Sequence, residues 1–195
     1  MTAPGRDSHI PRKAFHAIAG SILPTAYYLK LAPDVWVVTA MTLITCVWIC
    51  FDAARFRSPR LNKFFNRRFG FLMKRKEAKS FTGVTYMLAG ATLTLILFKP
   101  PVAVTVLYFI ALGDPAAAVV GRAFGRVKIF NGRTLEGSVT MFAVCLAIGL
   151  VFADVPPSAA VAGAFVASLA ELYSGPVDDN LMVPVLSGAA IMSLG

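Results

Sequence analysis

Long uncharged runs divided by short polar breaks are the feature that most constrains the fold of this chain. There are seven such runs: Ala14–Leu29, Val35–Phe51, Ser80–Phe98, Pro101–Gly121 (interrupted by Asp114), Gly137–Ala153, Val155–Ala170 and Asn180–Gly195. A helix that crosses the hydrocarbon core needs about 20 mainly apolar residues, and a helix satisfies its own backbone polar groups in lipid. We therefore predict one integral membrane domain over residues 1–195, an all-α bundle of about seven transmembrane helices. Six or eight spans are the alternatives.

Basic residues predict the orientation of these helices. Ten of the 19 Lys and Arg residues fall in residues 55–79, between the second and third runs, and cytoplasmic loops carry the excess of positive charge. Counting spans alternately from this loop leaves only Lys30 and Lys99 on the outer side. We therefore expect a cytoplasmic N-terminus. Residues 1–12 lack a small-residue cleavage pattern, so we also expect the first helix to be retained.

The basic loop, residues 55–79, has a helical pattern of its own. Apolar residues recur at helical spacing among Lys and Arg, namely Leu61, Phe64, Phe65, Phe69 and Leu72. This pattern is typical of an amphipathic cytoplasmic helix lying on an anionic leaflet. The alternatives are a loop that only sets the topology, or a lid or lipid gate for an active site. No nucleic-acid recognition motif accompanies the charge, so we expect no nucleic-acid partner.

Acidic residues are few, and five of them converge on the predicted cytoplasmic side: Asp114, Glu136, Glu171, Asp178 and Asp179. Asp114 lies inside an apolar run, where a charge is costly and usually faces a cavity, a partner or an ion. Its neighbours Gly113 and Pro115 loosen a helix and free backbone groups. The alternative for Asp114 is a buried ion pair with Arg122 or another basic residue. For Asp52 we expect a local ion pair.

Cations on the same predicted side complete a pattern suited to phosphate chemistry. Arg12 and Lys13 lie near His16, and Arg122, Lys128 and Arg133 follow Asp114. Small residues at Gly121 and Gly125 would let the backbone approach a phosphate, and Thr134 and Glu136 have capping character for the next helix. His16 alone fits a packed histidine equally well, and one member of Asp178-Asp179-Asn180 is expected to cap a helix. Carboxylates and cations together are what magnesium-dependent phosphoryl transfer requires.

The sequence resembles the family of CTP-dependent membrane lipid kinases that includes dolichol kinase, phytol and farnesol kinases and the yeast-type diacylglycerol kinase. The matching pieces are Arg12-Lys13-x-x-His16, Gly113-Asp114 with Gly121-Arg122 and Gly125, Arg133-Thr134-Leu135-Glu136-Gly137-Ser138, and Glu171 with Asp179-Asn180-Leu181 and Pro184. They occur in the family's order over nearly the whole chain. The family usually has Lys-Ser where this chain has Arg133-Thr134, and a small residue usually follows the Asp where this chain has Pro115.

The resemblance implies transfer of the terminal phosphate of a nucleoside triphosphate, usually CTP, to the hydroxyl of a membrane lipid alcohol such as a polyprenol, dolichol, phytol or diacylglycerol. The magnesium ligands would be Asp114, Glu171 and Asp179, with Glu136 as a fourth, and Asp114 or Asp178 would orient or deprotonate the hydroxyl. The residues expected to bind nucleotide and phosphate are Arg12, Lys13, His16, Gly121, Arg122, Gly125, Lys128, Arg133, Thr134 and Asn180. We expect the protein in a prokaryotic cytoplasmic membrane, with its active site facing the cytoplasm.

Two other functions fit parts of the pattern. A phosphatidate cytidylyltransferase would share the need for CTP, magnesium and lipid, but the chain lacks the longer acidic signature of such synthases near its C-terminus. A small transporter could use Asp114 and Pro115 in a broken helix, but no inverted repeat is visible. Ala159, Gly163 and Ala167 form a stripe that fits helix packing within one chain or in a homo-oligomer.

Overall fold

The computed structural model describes residues 9–69, 80–152, 154–173 and 177–195. Within these ranges the chain is helical, and one isolated bridge joins Lys128 to Thr134. The helices are α1 (His9–Tyr28), α2 (Asp34–Arg57), α3 (Pro59–Phe69), α4 (Gly83–Leu97), α5 (Pro100–Tyr108), α6 (Asp114–Ala123), α7 (Leu135–Phe152), α8 (Pro157–Tyr173) and α9 (Asp179–Leu194). A π turn, Phe109–Gly113, joins α5 to α6, and a 3-10 turn, Phe130–Gly132, precedes α7. Each predicted apolar run contains at least one of these helices, and the all-α class is confirmed in the described residues.

Three stretches are both long and apolar enough to cross a membrane: Asp34–Arg57, Pro100–Ala123 and Leu135–Phe152. Helices α4, α8 and α9 are apolar but shorter, with 15, 17 and 16 residues. These apolar helices indicate an integral membrane protein. The count of seven spans and the cytoplasmic position of the N-terminus stay predictions.

The bundle packs around the continuous segment α5, π turn and α6. Val106 and Phe109 in this segment are fully buried, and they belong to one apolar core with Met141 of α7 and Ile191 of α9. Helix α2 instead exposes large apolar side chains, among them that of Trp36, which is 68% exposed. An exposed apolar surface of this kind suits contact with lipid tails rather than water.

The stripe of small residues on α8 packs within the chain. Ala159 and Ala167 are fully buried, and a Cβ atom on Gly163 would clash with the Ile191 side chain of α9. The close approach of α8 and α9 therefore explains the stripe, since small residues let two helix backbones come together.

A buried ion pair fixes the end of α2 against α4. The Asp52 carboxylate pairs with Arg55 at 2.8 Å and accepts hydrogen bonds from the Thr82 backbone N–H at 2.8 Å and the Thr85 hydroxyl at 2.6 Å. The local ion pair expected for Asp52 is present. Arg55, however, was counted in the basic loop, and the structure places it inside α2 with its guanidinium buried, because Asp52 neutralises it there.

Helix α3 lies in the first part of the predicted amphipathic loop. Its Phe65 ring is buried and packs on Phe51 and Trp48 of α2, with ring centroids 5.6 and 6.3 Å apart. The basic side chains of α3 are exposed: Arg60, Lys63, Arg67 and Arg68. The predicted pattern also includes Leu72 and Lys74, which lie outside the described residues. In α3 the ring that packs on α2 and the exposed basic side chains lie on different faces of the helix, as in a helix that lies at a membrane surface.

A wide cavity of about 860 Å³ opens at one end of the bundle. Its walls include Lys30, Pro100 and Asp154, which come from three separate breaks between the apolar runs. The breaks that hold Lys30 and Asp154 were both predicted to lie on the outer side. The fold thus brings these breaks together at one end, and the predicted catalytic residues lie elsewhere.

Candidate active site

A cavity of about 300 Å³ forms where α1, α6, α7, α8 and α9 meet. Seven of the residues predicted from sequence line it: Lys13, Gly121, Arg122, Arg133, Thr134, Glu171 and Asp179. Its other walls are mainly small residues of α6 and α7. Side chains that are far apart in the sequence thus share one polar cavity in an otherwise apolar bundle.

Lys13 and Asp114 form an ion pair at this cavity. The Lys13 Nζ contacts Asp114 Oδ2, and the two side chains are 19% and 5% exposed. The second carboxylate oxygen, Asp114 Oδ1, is buried and has no hydrogen-bond partner among the described residues. The buried ion pair considered for Asp114 therefore exists, with Lys13 rather than Arg122 as the partner.

The π turn sets the position of Asp114. Pro115 has no backbone N–H, so it cannot close the hydrogen bond that a π turn would direct to the carbonyl of Ile110, five residues earlier. The His16 Nε2 lies 3.3 Å from this carbonyl oxygen. The structure thus places His16 on the backbone just before Asp114, and its contact with phosphate stays a prediction.

Arg133 joins the two other carboxylates of the cavity. One terminal nitrogen of its guanidinium contacts Glu171 Oε1, and the other lies 3.2 Å from Asp179 Oδ2. Glu171 and Asp179 are both buried, whereas the Arg133 side chain is 29% exposed. A planar guanidinium can serve two carboxylates at once, so Arg133 holds the start of α9 beside the end of α8.

Close backbone packing shapes the wall between α6 and α7. A Cβ atom on Gly121 would lie 2.8 Å from Thr134 Oγ1, and one on Gly125 would lie 2.6 Å from Thr134 Cγ2. The Thr134 hydroxyl in turn accepts a hydrogen bond from the Gly137 N–H, at 3.2 Å. Glycine at these positions lets α6 approach the loop before α7, so Gly121 borders the cavity while Gly125 lies behind Thr134.

Glu136 points to a different place from the other carboxylates. Its Oε1 accepts hydrogen bonds from the backbone N–H groups of Arg126 and Val127, at 2.9 and 3.3 Å. It lines a second cavity with Phe124 and Gly125. The structure therefore separates Glu136 from Asp114, Glu171 and Asp179, with which it was grouped as a magnesium ligand.

The remaining predicted residues lie at the edges of the site. Asp178 is the N-cap of α9, and its Oδ1 accepts hydrogen bonds from the Asn180 N–H at 3.2 Å and from Asn180 Nδ2 at 2.6 Å. Asp179, the next residue, lines the cavity. Asp178 therefore caps the helix, and Asp179 belongs to the candidate site. Lys128 is exposed, and the Arg12 side chain lies outside the described part of the structure.

Two contributors were given no role at the site from the sequence, although Ser138 belongs to one of the matching pieces. Ser138 lines the cavity, and its buried hydroxyl has no hydrogen-bond partner in the described ranges. Gly90 of α4 lets the Asn180 carbonyl approach so closely that any Cβ atom would clash with it. Ser138 stands four residues after Thr134, one helical turn away, which could have signalled its position, whereas nothing around Gly90 indicated its contact.

The donor set is compatible with magnesium. In the described residues no group of three or more His, Cys, Asp or Glu side chains is placed to hold a metal ion by itself. Magnesium, however, commonly binds one or two carboxylates together with substrate phosphates and water. Asp114 offers a buried carboxylate oxygen with no hydrogen-bond partner in the described ranges, so the oxygen ligands present fit a magnesium ion that arrives with a nucleotide.

Comparison with known proteins agrees with this chemistry. The chain is 29% identical to CTP-dependent diacylglycerol kinase 1 of Saccharomyces cerevisiae over 69% of its length, and 29% identical to that of Eremothecium gossypii over 91%. It is 27% identical to CTP-dependent diacylglycerol kinase 1 of Schizosaccharomyces pombe over 93%. The resemblance to CTP-dependent lipid kinases is confirmed.

The matched region covers a different share of the length of each relative. The chain spans about half of the Saccharomyces protein (47%), 64% of the Eremothecium protein and 91% of the Schizosaccharomyces protein. No protein-family model matches the chain, and no solved structure matches it significantly.

Proposed function

We propose that this protein is a lipid kinase that transfers the terminal phosphate of CTP to the hydroxyl of a membrane lipid alcohol. The observation that carries the proposal is the cavity lined by Lys13 and Arg133, two cations that pair with three carboxylates inside an apolar bundle. Phosphoryl transfer needs cations for the phosphates and carboxylates for a metal and a proton. The names of the fungal relatives support CTP as the phosphate donor and diacylglycerol as one acceptor.

Lys13, Arg122 and Arg133 bind the triphosphate in this proposal. An ammonium has three N–H donors and a guanidinium has five. Each can therefore hold a carboxylate and a phosphate oxygen together. Arg122 is exposed at the same cavity and adds positive charge there. Charge that develops on the phosphoryl group during transfer is stabilised by donors already in position.

Asp114 accepts the proton of the lipid hydroxyl. The hydroxyl oxygen forms a bond to the terminal phosphorus, the bond from that phosphorus to the bridging oxygen breaks, and CDP leaves with the electron pair. Asp114 is better suited to this role than Asp178, because Asp178 Oδ1 caps α9. The ion pair with Lys13 holds the Asp114 carboxylate in position for this step.

Asp114, Glu171 and Asp179 are the carboxylates from which one or two would hold magnesium together with the phosphates and water, and the ion would supply charge neutralisation at the phosphates. The apolar surfaces of the helices bring the lipid alcohol to the same cavity from the bilayer. Polyprenol, phytol and diacylglycerol are the acceptor classes that we propose to test. We place the protein in a prokaryotic cytoplasmic membrane with this cavity facing the cytoplasm, where CTP is found.

The test uses the full-length chain purified in detergent with CTP, ATP, GTP or UTP, each labelled at the terminal phosphate. Candidate lipids are added in parallel, with and without magnesium. We expect label in the lipid and CDP as the second product, and loss of both in Asp114→Asn and Asp179→Asn. Asp34→Asn, in an exposed pair, serves as the matched control. Release of diphosphate would instead indicate a cytidylyltransferase, and unlabelled lipid with every donor would refute the kinase.

A further inference from the structure

The second cavity, which Glu136 lines, lies directly beside the first. It has a volume of about 430 Å³ and is lined by Ala123, Phe124, Gly125, Arg126 and Glu136. Gly125 packs against Gly121 and Thr134, which both line the first cavity. The linings of the two cavities therefore meet where Gly125 contacts Gly121 and Thr134, and one nucleotide with its phosphates in the first cavity can place its base in the second.

The Glu136 carboxylate is fixed in a definite orientation at this second cavity. Its Oε1 is held by the N–H groups of Arg126 and Val127, at 2.9 and 3.3 Å. Its Oε2 is buried and has no hydrogen-bond partner within the described residues. An ionised carboxylate oxygen can only accept hydrogen bonds, and a buried one without a donor is costly. Glu136 thus has one carboxylate oxygen left to accept a hydrogen bond from a ligand in this cavity.

An aromatic ring and a cation complete the second cavity. Phe124 is 69% exposed at the end of α6, and an exposed ring beside a cavity offers a face on which a base can stack. The Arg126 side chain is also exposed there, and a guanidinium supplies donors for carbonyl and ring-nitrogen acceptors.

We propose that this second cavity binds the nucleotide base and that Glu136 selects cytosine by accepting a hydrogen bond from its exocyclic N4 amino group. This inference rests on the proposed function, because it takes the first cavity as the triphosphate site. Cytosine carries a donor at N4, and an Asp or Glu oxygen is a fitting acceptor for it. Uracil carries a carbonyl at the same position, which would place two acceptors against each other. Glu136 is thereby a specificity-determining residue rather than a magnesium ligand.

The sharpest test is Glu136→Gln, with CTP and UTP compared in equilibrium binding by titration calorimetry and in lipid phosphorylation. The glutamine carbonyl keeps the hydrogen bonds to the Arg126 and Val127 N–H groups, while its amide NH₂ takes the place of Oε2. We expect CTP to bind about tenfold more weakly and UTP about tenfold more tightly, because one unpaired buried group costs about that factor. Equal losses for both nucleotides, or no change for either, would overturn the proposal.

Two further measurements separate the possible failures. In the wild-type protein, N4,N4-dimethylcytidine triphosphate has no N4 hydrogen and should bind at least about tenfold more weakly than CTP. Equal binding overturns the proposal even where the variant does not fold. Phe124→Leu removes the stacking face and should weaken CTP and UTP alike, with their ratio unchanged, and a changed ratio would assign base selection to Phe124 instead. A wild-type protein that binds no nucleoside triphosphate refutes the proposed function itself.

Discussion

The ion pair between Lys13 and Asp114 can be tested directly, because the chain has a second Lys–Asp pair with a very different environment. The Asp114 side chain is 5% exposed and that of Lys13 is 19% exposed. In the surface pair, Lys30 and Asp34 are 58% and 45% exposed, and their atoms lie 3.0 Å apart. The perturbation is Lys13→Met, with Lys30→Met as its matched control, since methionine keeps an unbranched apolar stem and removes the charge.

The expected magnitude follows from burial. Removing one partner of a buried ion pair costs roughly 3–5 kcal/mol, because the other charge stays buried without compensation. Lys13 is partly exposed, so we expect about 3 kcal/mol, the lower end of that range. Asp114 Oδ1 has no hydrogen-bond partner in the described ranges, so little else there offsets the loss. Exposed pairs contribute about 0–1 kcal/mol, and we expect Lys30→Met to cost less than about 0.5 kcal/mol.

The measurement is the free energy of unfolding in mixed micelles, titrated with sodium dodecyl sulfate and followed by circular dichroism. The double variant Lys13→Met with Asp114→Asn no longer buries a full charge. We therefore expect it to be more stable than the sum of the single effects implies, by about 2 kcal/mol of coupling. The reasoning is refuted if Lys13→Met costs no more than Lys30→Met, or if the two substitutions at the site are simply additive.

Two further predictions concern contacts outside the cavity. Gly90→Ala should lower both thermal stability and phosphoryl transfer, because its Cβ atom would push the Asn180 carbonyl and the start of α9. In Gly149→Ala the nearest atom to the new Cβ would be Ala160 Cβ, at 3.2 Å, with Ala160 Cα and the Phe109 ring at 3.5 Å, so the effect in a thermal shift assay should be smaller. Asp52→Ala should destabilise the fold by about 3 kcal/mol, since it leaves a buried guanidinium uncompensated. An Asp52→Ala variant as stable as wild type in the same detergent titration would contradict this account of the α2–α4 contact.

The helices were the part of the fold most accessible from sequence. Uncharged runs and the Pro and Asp residues between them predicted where the apolar helices lie, because the lipid core leaves the backbone few alternatives. The ends were less accurate, since α2 continues to Arg57, past the run that ends at Phe51. The arrangement of the helices was not accessible. Helices α4 and α7 are apolar on all sides, so no stripe indicates which face meets a neighbour. The π turn before Asp114 and the burial of Arg55 depend on contacts between helices that no local pattern contains.

Some residues of the candidate site could also be predicted from the sequence, for a different reason. Acidic residues are so rare in this chain that each can be examined singly, and this indicated Asp114, Glu171 and Asp179. Glu171 and Asp179 line the first cavity, and Asp114 pairs with Lys13, which lines it too. Glu136 is also a carboxylate on the predicted cytoplasmic side, yet it faces the Arg126 and Val127 backbone N–H groups. The direction of a side chain at the first turn of a helix depends on the conformation of the loop before that helix. Close packing against α6 shapes this loop, and the sequence pattern does not indicate that packing.

An ion pair and a functional site were alternative explanations for Asp114, but the physics of the bundle makes them one arrangement. A carboxylate beside apolar helices is too costly without a cation, so any reactive Asp or Glu at this depth must have a partner close by. The partner that lowers that cost also fixes the carboxylate and brings N–H donors to the place where phosphates would bind. Lys13 does this for Asp114, and Arg133 does it for Glu171 and Asp179. Exchanging either cation for a neutral residue should therefore impair folding and phosphate binding together, whereas Glu136→Gln should alter the choice of base alone.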